Sequence, residues 1–204
     1  SAASDVYKRQ VLSCDLYFYE AIQKIKLNDL AKRAIQFGYG LESNIDLPNE
    51  MLGIMPDRNY MNNLYGKWGW SKGALLNIAI GQGEILVTPI QMANYTNILA
   101  TQGDTYPVYL VDSLPSKIKF PKFNINNWKF VQEAMRKVVS GSMGTAKKSD
   151  PKIPGLIISG KTGTAENPHG AAHAWFIAYG EKNNEMISIV TVSYTHLTLP
   201  TNRE

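Results

Sequence analysis

The chain has 204 residues and a single cysteine, Cys14. That excludes an internal disulfide framework and any cysteine-based metal cluster. Charge of one sign is also scarce. Lys and Arg number 21 against 17 Asp and Glu, a formal net charge of +4 with no basic run, so nucleic acid is not expected as a partner. No apolar run is long enough to cross a bilayer, and no signal peptide opens the sequence. If the protein works outside the cytoplasm, its export signal is expected to lie beyond these residues. Internal repeats and low-complexity tracts are lacking too. The sequence is 44% hydrophobic and 19% charged, which suits one medium domain or part of one.

The two ends share a peculiarity. Residues 5–10, Asp-Val-Tyr-Lys-Arg-Gln, can be encoded by GAT GTG TAT AAG AGA CAG. The reverse complement of that DNA, read two bases along, encodes Val-Ser-Tyr-Thr-His, the sequence of residues 192–196. The inverted repeat resembles a transposase adaptor used to prepare sequencing libraries. Residues 1–10 and 192–204 are therefore expected to be translated adaptor, leaving 11–191 as native sequence cut at both ends.

From Val11 to Lys24 the pattern predicts a helix capped by Ser13 or Asp15, with Leu16, Tyr19 and Ala21 on its buried face. A second helix is expected over 28–37, with Asn28 as cap, Leu30, Ala34 and Phe37 inward, and Gly38 as stop. Residues 39–70 carry glycine, proline and asparagine without periodicity and read as a surface excursion with short elements. An apolar run, Leu75–Ile80, ends at Gly81-Gln82-Gly83, where Gln82 reads as structural. Thr88-Pro89 opens another helix: cap, then proline at the first helical position. After an irregular stretch, Asn126 or Asn127 is expected to start a helix over 128–139, with Phe130, Val131, Ala134 and Val138 inward. A small-residue turn, Ser140–Ala146, leads to apolar segments that read as antiparallel strands, the last two joined as a hairpin. Helices in the middle and antiparallel strands at the end make an α+β pattern.

Within that last part, Gly155–Tyr179 holds Ser159-Gly160-Lys161-Thr162-Gly163-Thr164 after an apolar strand. The pattern puts Lys161 at a strand end between small residues, with Gly160 and Gly163 permitting close approach of another molecule. Such an edge suits an extended peptide with a terminal carboxylate: strand addition supplies main-chain hydrogen bonds, and the ammonium pairs with the carboxylate. An ordinary exposed hairpin bearing a lysine is the plainer interpretation of these residues alone. His169 and His173, four apart and near Glu166, would allow a metal site, although loop histidines spaced by glycine and alanine are more often plain surface residues. Tyr17, Tyr19 and Trp175 read as core or groove wall, and Cys14 as a buried spacer.

Taken together, Ser13-Cys14-Asp15, Gly81-Gln82-Gly83 with Thr88–Ala93, Lys161-Thr162-Gly163-Thr164 and His173-Ala174-Trp175-Phe176 resemble the transpeptidase domain of class B penicillin-binding proteins of the elongation type. Each piece is weak alone; all four in this order across most of 11–190 are specific. The resemblance implies a partial penicillin-binding-protein fold, related to the serine β-lactamases, with an antiparallel sheet packed against helices. It also implies an enzyme that needs no cofactor. A serine attacks a D-Ala-D-Ala peptide bond, D-alanine leaves, and an amine of a second stem peptide takes the acyl group. By motif position, Ser13 would relay a proton between a lysine and the leaving amine, and Asp15, in place of the family's usual Asn, would hold the substrate amide. Lys161 would attract the terminal carboxylate, and Thr162 and Thr164 would hydrogen-bond it beside Gly163. The Thr164 N–H would serve as one oxyanion donor. Expected partners are peptidoglycan stem peptides, β-lactams and a glycosyltransferase of the elongation machinery, with the parent protein anchored on the periplasmic side of the inner membrane.

One family element has no counterpart in the expected place. The nucleophilic Ser-x-x-Lys should precede Ser13, and the two formal matches, Ser116…Lys119 and Ser149…Lys152, stand in the wrong order. Pro151 also spoils a helical start at the second. The nucleophile is thus expected to lie upstream of these residues, and the fragment to be inactive alone. Two other assignments compete. A serine β-lactamase uses related motifs, but the 148 positions between Ser13 and Lys161 exceed the spacing of compact β-lactamases. A β-lactam-sensing receptor domain would bind the drug without building wall.

Overall fold

The computed structural model describes residues 2–111, 118–119, 124–167 and 170–194. Seven helices and five strands are found among them: α1 (Ala2–Val11), α2 (Asp15–Ile22), α3 (Leu27–Gln36), α4 (Arg58–Tyr65), α5 (Lys72–Ala79), α6 (Pro89–Ala100), β1 (Asp104–Thr105), β2 (Ile118–Lys119), α7 (Ile125–Ser140), β3 (Ile157–Ala165), β4 (His173–Lys182) and β5 (Glu185–Ser193). The α+β expectation holds. β3, β4 and β5 form an antiparallel sheet in that order, so β3 is a margin strand. A separate small ladder pairs β1 with β2.

Local chemistry explains most of the boundaries. α6 begins as its sequence requires: the Thr88 side chain accepts from the Gln91 N–H at 3.2 Å, and the Gln91 side chain accepts from the Thr88 N–H at 3.1 Å. This reciprocal capping box satisfies two donors that the first turn leaves orphaned. The Gln91 amide also donates to the carbonyls of Leu41 and Leu52, tying the surface excursion to the helix. β4 and β5 are joined at Asn183-Asn184, both left-handed with φ of 52° and 65°. That is the two-residue turn whose twist matches paired strands, and asparagine tolerates it better than most side chains.

Three predicted helix starts need correction. The expected helix from Val11 is interrupted. α1 ends there, Ser13 takes a left-handed φ of 51°, and α2 begins at Asp15 behind Cys14, which makes no side-chain cap bond. Neither Ser13 nor Asp15 caps a helix, and Leu16, expected inside, is 73% exposed. Cys14 is half-buried rather than buried. α3 is preceded by Lys26, and Asn28 instead accepts from the Arg58 N–H at 2.9 Å, pinning α4 to α3. α7 is capped by Asn124, whose side chain accepts from the Asn126 N–H at 2.9 Å. For Ser13 and Asn28 the polar side chain is used by a distant partner, Lys161 and Arg58, instead of by the first turn of its own helix.

The core lies between the sheet and the two longest of the later helices. Ile98, Leu99 and Ala100 of α6 meet Trp128 and Met135 of α7 and Tyr179 of β4. Beside them, Val138, Val139 and Ala146 pack with Ile158 and Phe176. Each fully buried Ile, Leu, Met or Val among them contributes roughly 1.5–3 kcal/mol by leaving water. A satellite cluster of Leu27, Met61 and Ile78 binds α3, α4 and α5 together. The sheet is thus held on a helical bed, with β3 and β5 as its margin strands among the described residues.

Candidate active site

Lys161 stands in the middle of β3, opposite Ile177 of β4, and not at a strand end as its sequence context suggests. The strand continues through the whole Lys-Thr-Gly-Thr segment. Gly160 serves the sheet itself: a Cβ there would come within 2.8 Å of the Phe176 ring and 2.9 Å of the Ile177 carbonyl oxygen. Only Gly163 fits the expectation of open backbone, since it is exposed and a Cβ would meet Trp175 at an ordinary 3.5 Å.

The turn between α1 and α2 carries Ser13 to this strand. Lys161 Nζ donates to Ser13 Oγ at 2.5 Å and to the carbonyl oxygen of Thr162 at 2.8 Å. Burial lowers the Lys161 pKa from the usual amine range, and the carboxylate of Asp15 at the start of α2 opposes that shift. The Ser13…Asp15 and Lys161 motifs therefore converge in space. Thr162 turns its hydroxyl to Thr145, with 2.9 Å between the two oxygens. Thr164 offers its carbonyl to the side chain of Gln82: the Gln82 amide donates to Thr164 O at 2.7 Å and accepts from the Glu166 N–H at 3.1 Å.

Lys161, Thr162, Gly163, Thr164 and Glu166 line a cavity of about 1450 Å³, walled also by Phe18 and Ile22 of α2, Tyr39, the Gly81–Gly83 turn and Trp175. Its walls are mainly apolar, with a few convergent polar groups at the β3 margin, the usual make-up of a small-molecule or peptide site. The arrangement can bind a carboxylate near an amine held partly dry. It can also present backbone N–H donors from the outer edge of β3, and move a proton between Lys161 and Ser13.

The other sequence candidates sit elsewhere or do different work. His173 Nε2 lies 3.5 Å from the Asn167 amide nitrogen, and its ring meets Tyr194 edge-on at 4.9 Å. His169 lies outside the described residues, and among those described no group of three His, Cys, Asp or Glu side chains could hold a metal. Ser149 ends a 3-10 turn, while Lys152, with φ of 55°, pairs with Asp150 at 2.6 Å, so these two share no helical face. Ser116 lies outside the described residues. Thr145 and the clamp role of Gln82 escaped sequence reasoning. The one available hint is that Gly81 and Gly83, both left-handed at φ of 78° and 71°, lift Gln82 on a tight turn.

Residues 9–200 match the penicillin binding protein transpeptidase domain. The chain belongs to that family, as the motif order and this site together define it. Among curated relatives it is similar to the peptidoglycan D,D-transpeptidase MrdA of Acinetobacter baumannii, 29% identical over 192 residues, covering 89% of this chain and 27% of the relative. Among solved structures it resembles Pseudomonas aeruginosa PBP2 in complex with WCK 5153, with a TM-score of 0.81, 30% identity, and coverage of 96% of this chain and 44% of that one. It also resembles a chain of a peptidoglycan synthase complex that coordinates polymerization and crosslinking, with a TM-score of 0.79, 31% identity, and coverage of 92% and 33%. The chain spans between a quarter and a third of the length of the MrdA relatives from Acinetobacter baumannii and Haemophilus influenzae.

Proposed function

We propose that the protein to which this segment belongs is a peptidoglycan D,D-transpeptidase of the elongation type. It acylates a serine with a D-Ala-D-Ala stem peptide and passes the acyl group to an amine of a second stem. The observation that carries this reading is the Lys161–Ser13 pair on the open margin of β3, which joins two motifs of the family 148 residues apart. Lys161 draws the terminal carboxylate of the donor. Ser13 passes a proton between its lysine neighbours and the leaving amine, and Asp15 holds the donor amide. Thr162, Gly163 and Thr164 form the strand edge on which the donor lies. The nucleophilic Ser-x-x-Lys comes from sequence ahead of residue 11, and residues 1–10 and 192–204 are adaptor-encoded. The intact protein sits on the periplasmic face of the inner membrane beside a glycosyltransferase, a reading supported by the likeness to a chain of a peptidoglycan synthase complex.

Two measurements test this. Assembly of the flanking DNA should reveal a Ser-x-x-Lys helix upstream; its absence would remove the assignment. The full-length protein should form a long-lived adduct with a fluorescent penicillin and turn over nitrocefin slowly. Rapid steady-state turnover would mark a β-lactamase instead.

A further inference from the structure

The two bonds of Gln82 have the form of a strand contact. Donation to the carbonyl of Thr164 and acceptance from the N–H of Glu166 make the bond pair that one residue of a parallel strand makes across Ala165. A side-chain amide carries the same donor and acceptor as a peptide unit, so it can occupy a strand position without a strand. The Gly81–Gly83 turn delivers it from 82 residues away, onto the side of β3 that pairs with no other strand among the described residues.

This leaves the margin unusually short of acceptors. The Thr164 carbonyl is taken by Gln82 and the Thr162 carbonyl by Lys161 Nζ. Strand alternation turns the N–H groups of Thr162 and Thr164 to the same side as those carbonyls. A peptide adding to β3 needs both donors and acceptors from the strand, because an extended peptide pairs through its own N–H as well as its C=O. The acceptor within reach, the Thr164 carbonyl, is already engaged.

We propose that Gln82 is a displaceable stand-in for one residue of the acyl-donor peptide. In the empty site it satisfies Thr164 and Glu166 and covers an edge that would otherwise pair with any exposed strand. A stem peptide gains full pairing only by substituting its own amide N–H for that of Gln82 at Thr164. Gln82 is thus a positioning residue, and selects for ligands that carry an amide at that place. This inference rests on the transpeptidase reading above.

The test uses the full-length protein and two ligands: an N-acylated D-Ala-D-Ala peptide, and the same peptide N-methylated at the amide that would face Thr164. First, hydrogen exchange at the Glu166 amide is followed without and with the unmethylated peptide. Protection in the empty protein and faster exchange in the complex are expected; protection that persists in the complex means a static clamp and overturns the proposal. Second, Gln82→Met removes both bonds at similar size. Freed from competition, the unmethylated peptide should bind roughly three- to tenfold more tightly, as one net hydrogen bond allows, while the N-methyl peptide is unchanged. Equal loss for both ligands, or no change for either, overturns it. Acylation of the unmutated protein by fluorescent penicillin is the separate control: its failure rejects the transpeptidase reading, whereas persistent Glu166 protection in a protein that does acylate rejects only the role of Gln82.

Discussion

Lys161 Nζ lies 2.5 Å from Ser13 Oγ across 148 residues of sequence. A central strand position fixes the first residue, and a left-handed turn between two helices fixes the second. The pair couples a motif of the helical half to the margin strand β3.

Replacing Lys161 with alanine in the full-length protein leaves Ser13 without its partner and removes the positive charge from the margin. Penicillin acylation should fall at least about a hundredfold, the scale of a lost charge-assisted contact plus a lost proton-transfer step. Time courses with a fluorescent penicillin read this directly, and an unaltered rate would strip Lys161 of its role.

Asp15→Asn deletes the charge that opposes the burial effect on Lys161. The amine pKa should then fall further, because its protonated form loses an attractive neighbour. The alkaline limb of the acylation pH profile should move to lower pH. Burial alone also has a stability consequence. The folded pKa of Lys161 lies below its unfolded value, so the unfolded state binds more protons between the two, and this group's contribution to stability rises with pH across that window. Urea unfolding at a series of alkaline pH values should show that slope in the unmutated chain and lose it in Lys161→Met.

Thr145→Val removes the hydroxyl that holds Thr162 Oγ1 at 2.9 Å while keeping the side-chain shape. The Thr162 hydroxyl is then free to rotate, and affinity for a carboxylate-terminated peptide should drop by roughly two- to tenfold, with little change in thermal stability. A change in melting temperature without a change in peptide affinity would place Thr145 in the fold alone.

Gly160→Ala puts a methyl group 2.8 Å from the Phe176 ring and 2.9 Å from a backbone oxygen. The ring can move but the carbonyl cannot, so the substitution should cost about 1–3 kcal/mol by overpacking. Denaturant unfolding checks it, and a neutral result would mean that the strand shifts freely.

Several features were legible in the sequence because their causes are local. Thr88-Pro89-Ile90-Gln91 contains its own capping box, and both reciprocal bonds are formed. The apolar spacing of Ala134 and Val138 gives the buried face of α7. Motif order linked Ser13 with Lys161, which local patterning could not, and the two side chains meet in the structure. What stayed hidden depends on partners far along the chain. Leu16 looked apolar and therefore internal, but the turn at Ser13 re-aims α2 and leaves that side chain outside. Lys161 looked like a strand terminus because the glycines on either side weaken strand propensity, yet β4 pairs with the segment as far as Ala165. The attachment of Gln82 to Thr164 has no local signature beyond two glycines.

Position 160 has one more effect. Its absent side chain is the notch into which the Phe176 ring settles, and a notch admits its key at a single setting. Were β4 to slide by one residue against β3, its own side chains would exchange faces, and the Phe176 ring would leave the notch for the side of the sheet that carries Lys161. The facing of β3 against β4 is therefore written where a hydrogen atom stands in for a methyl group.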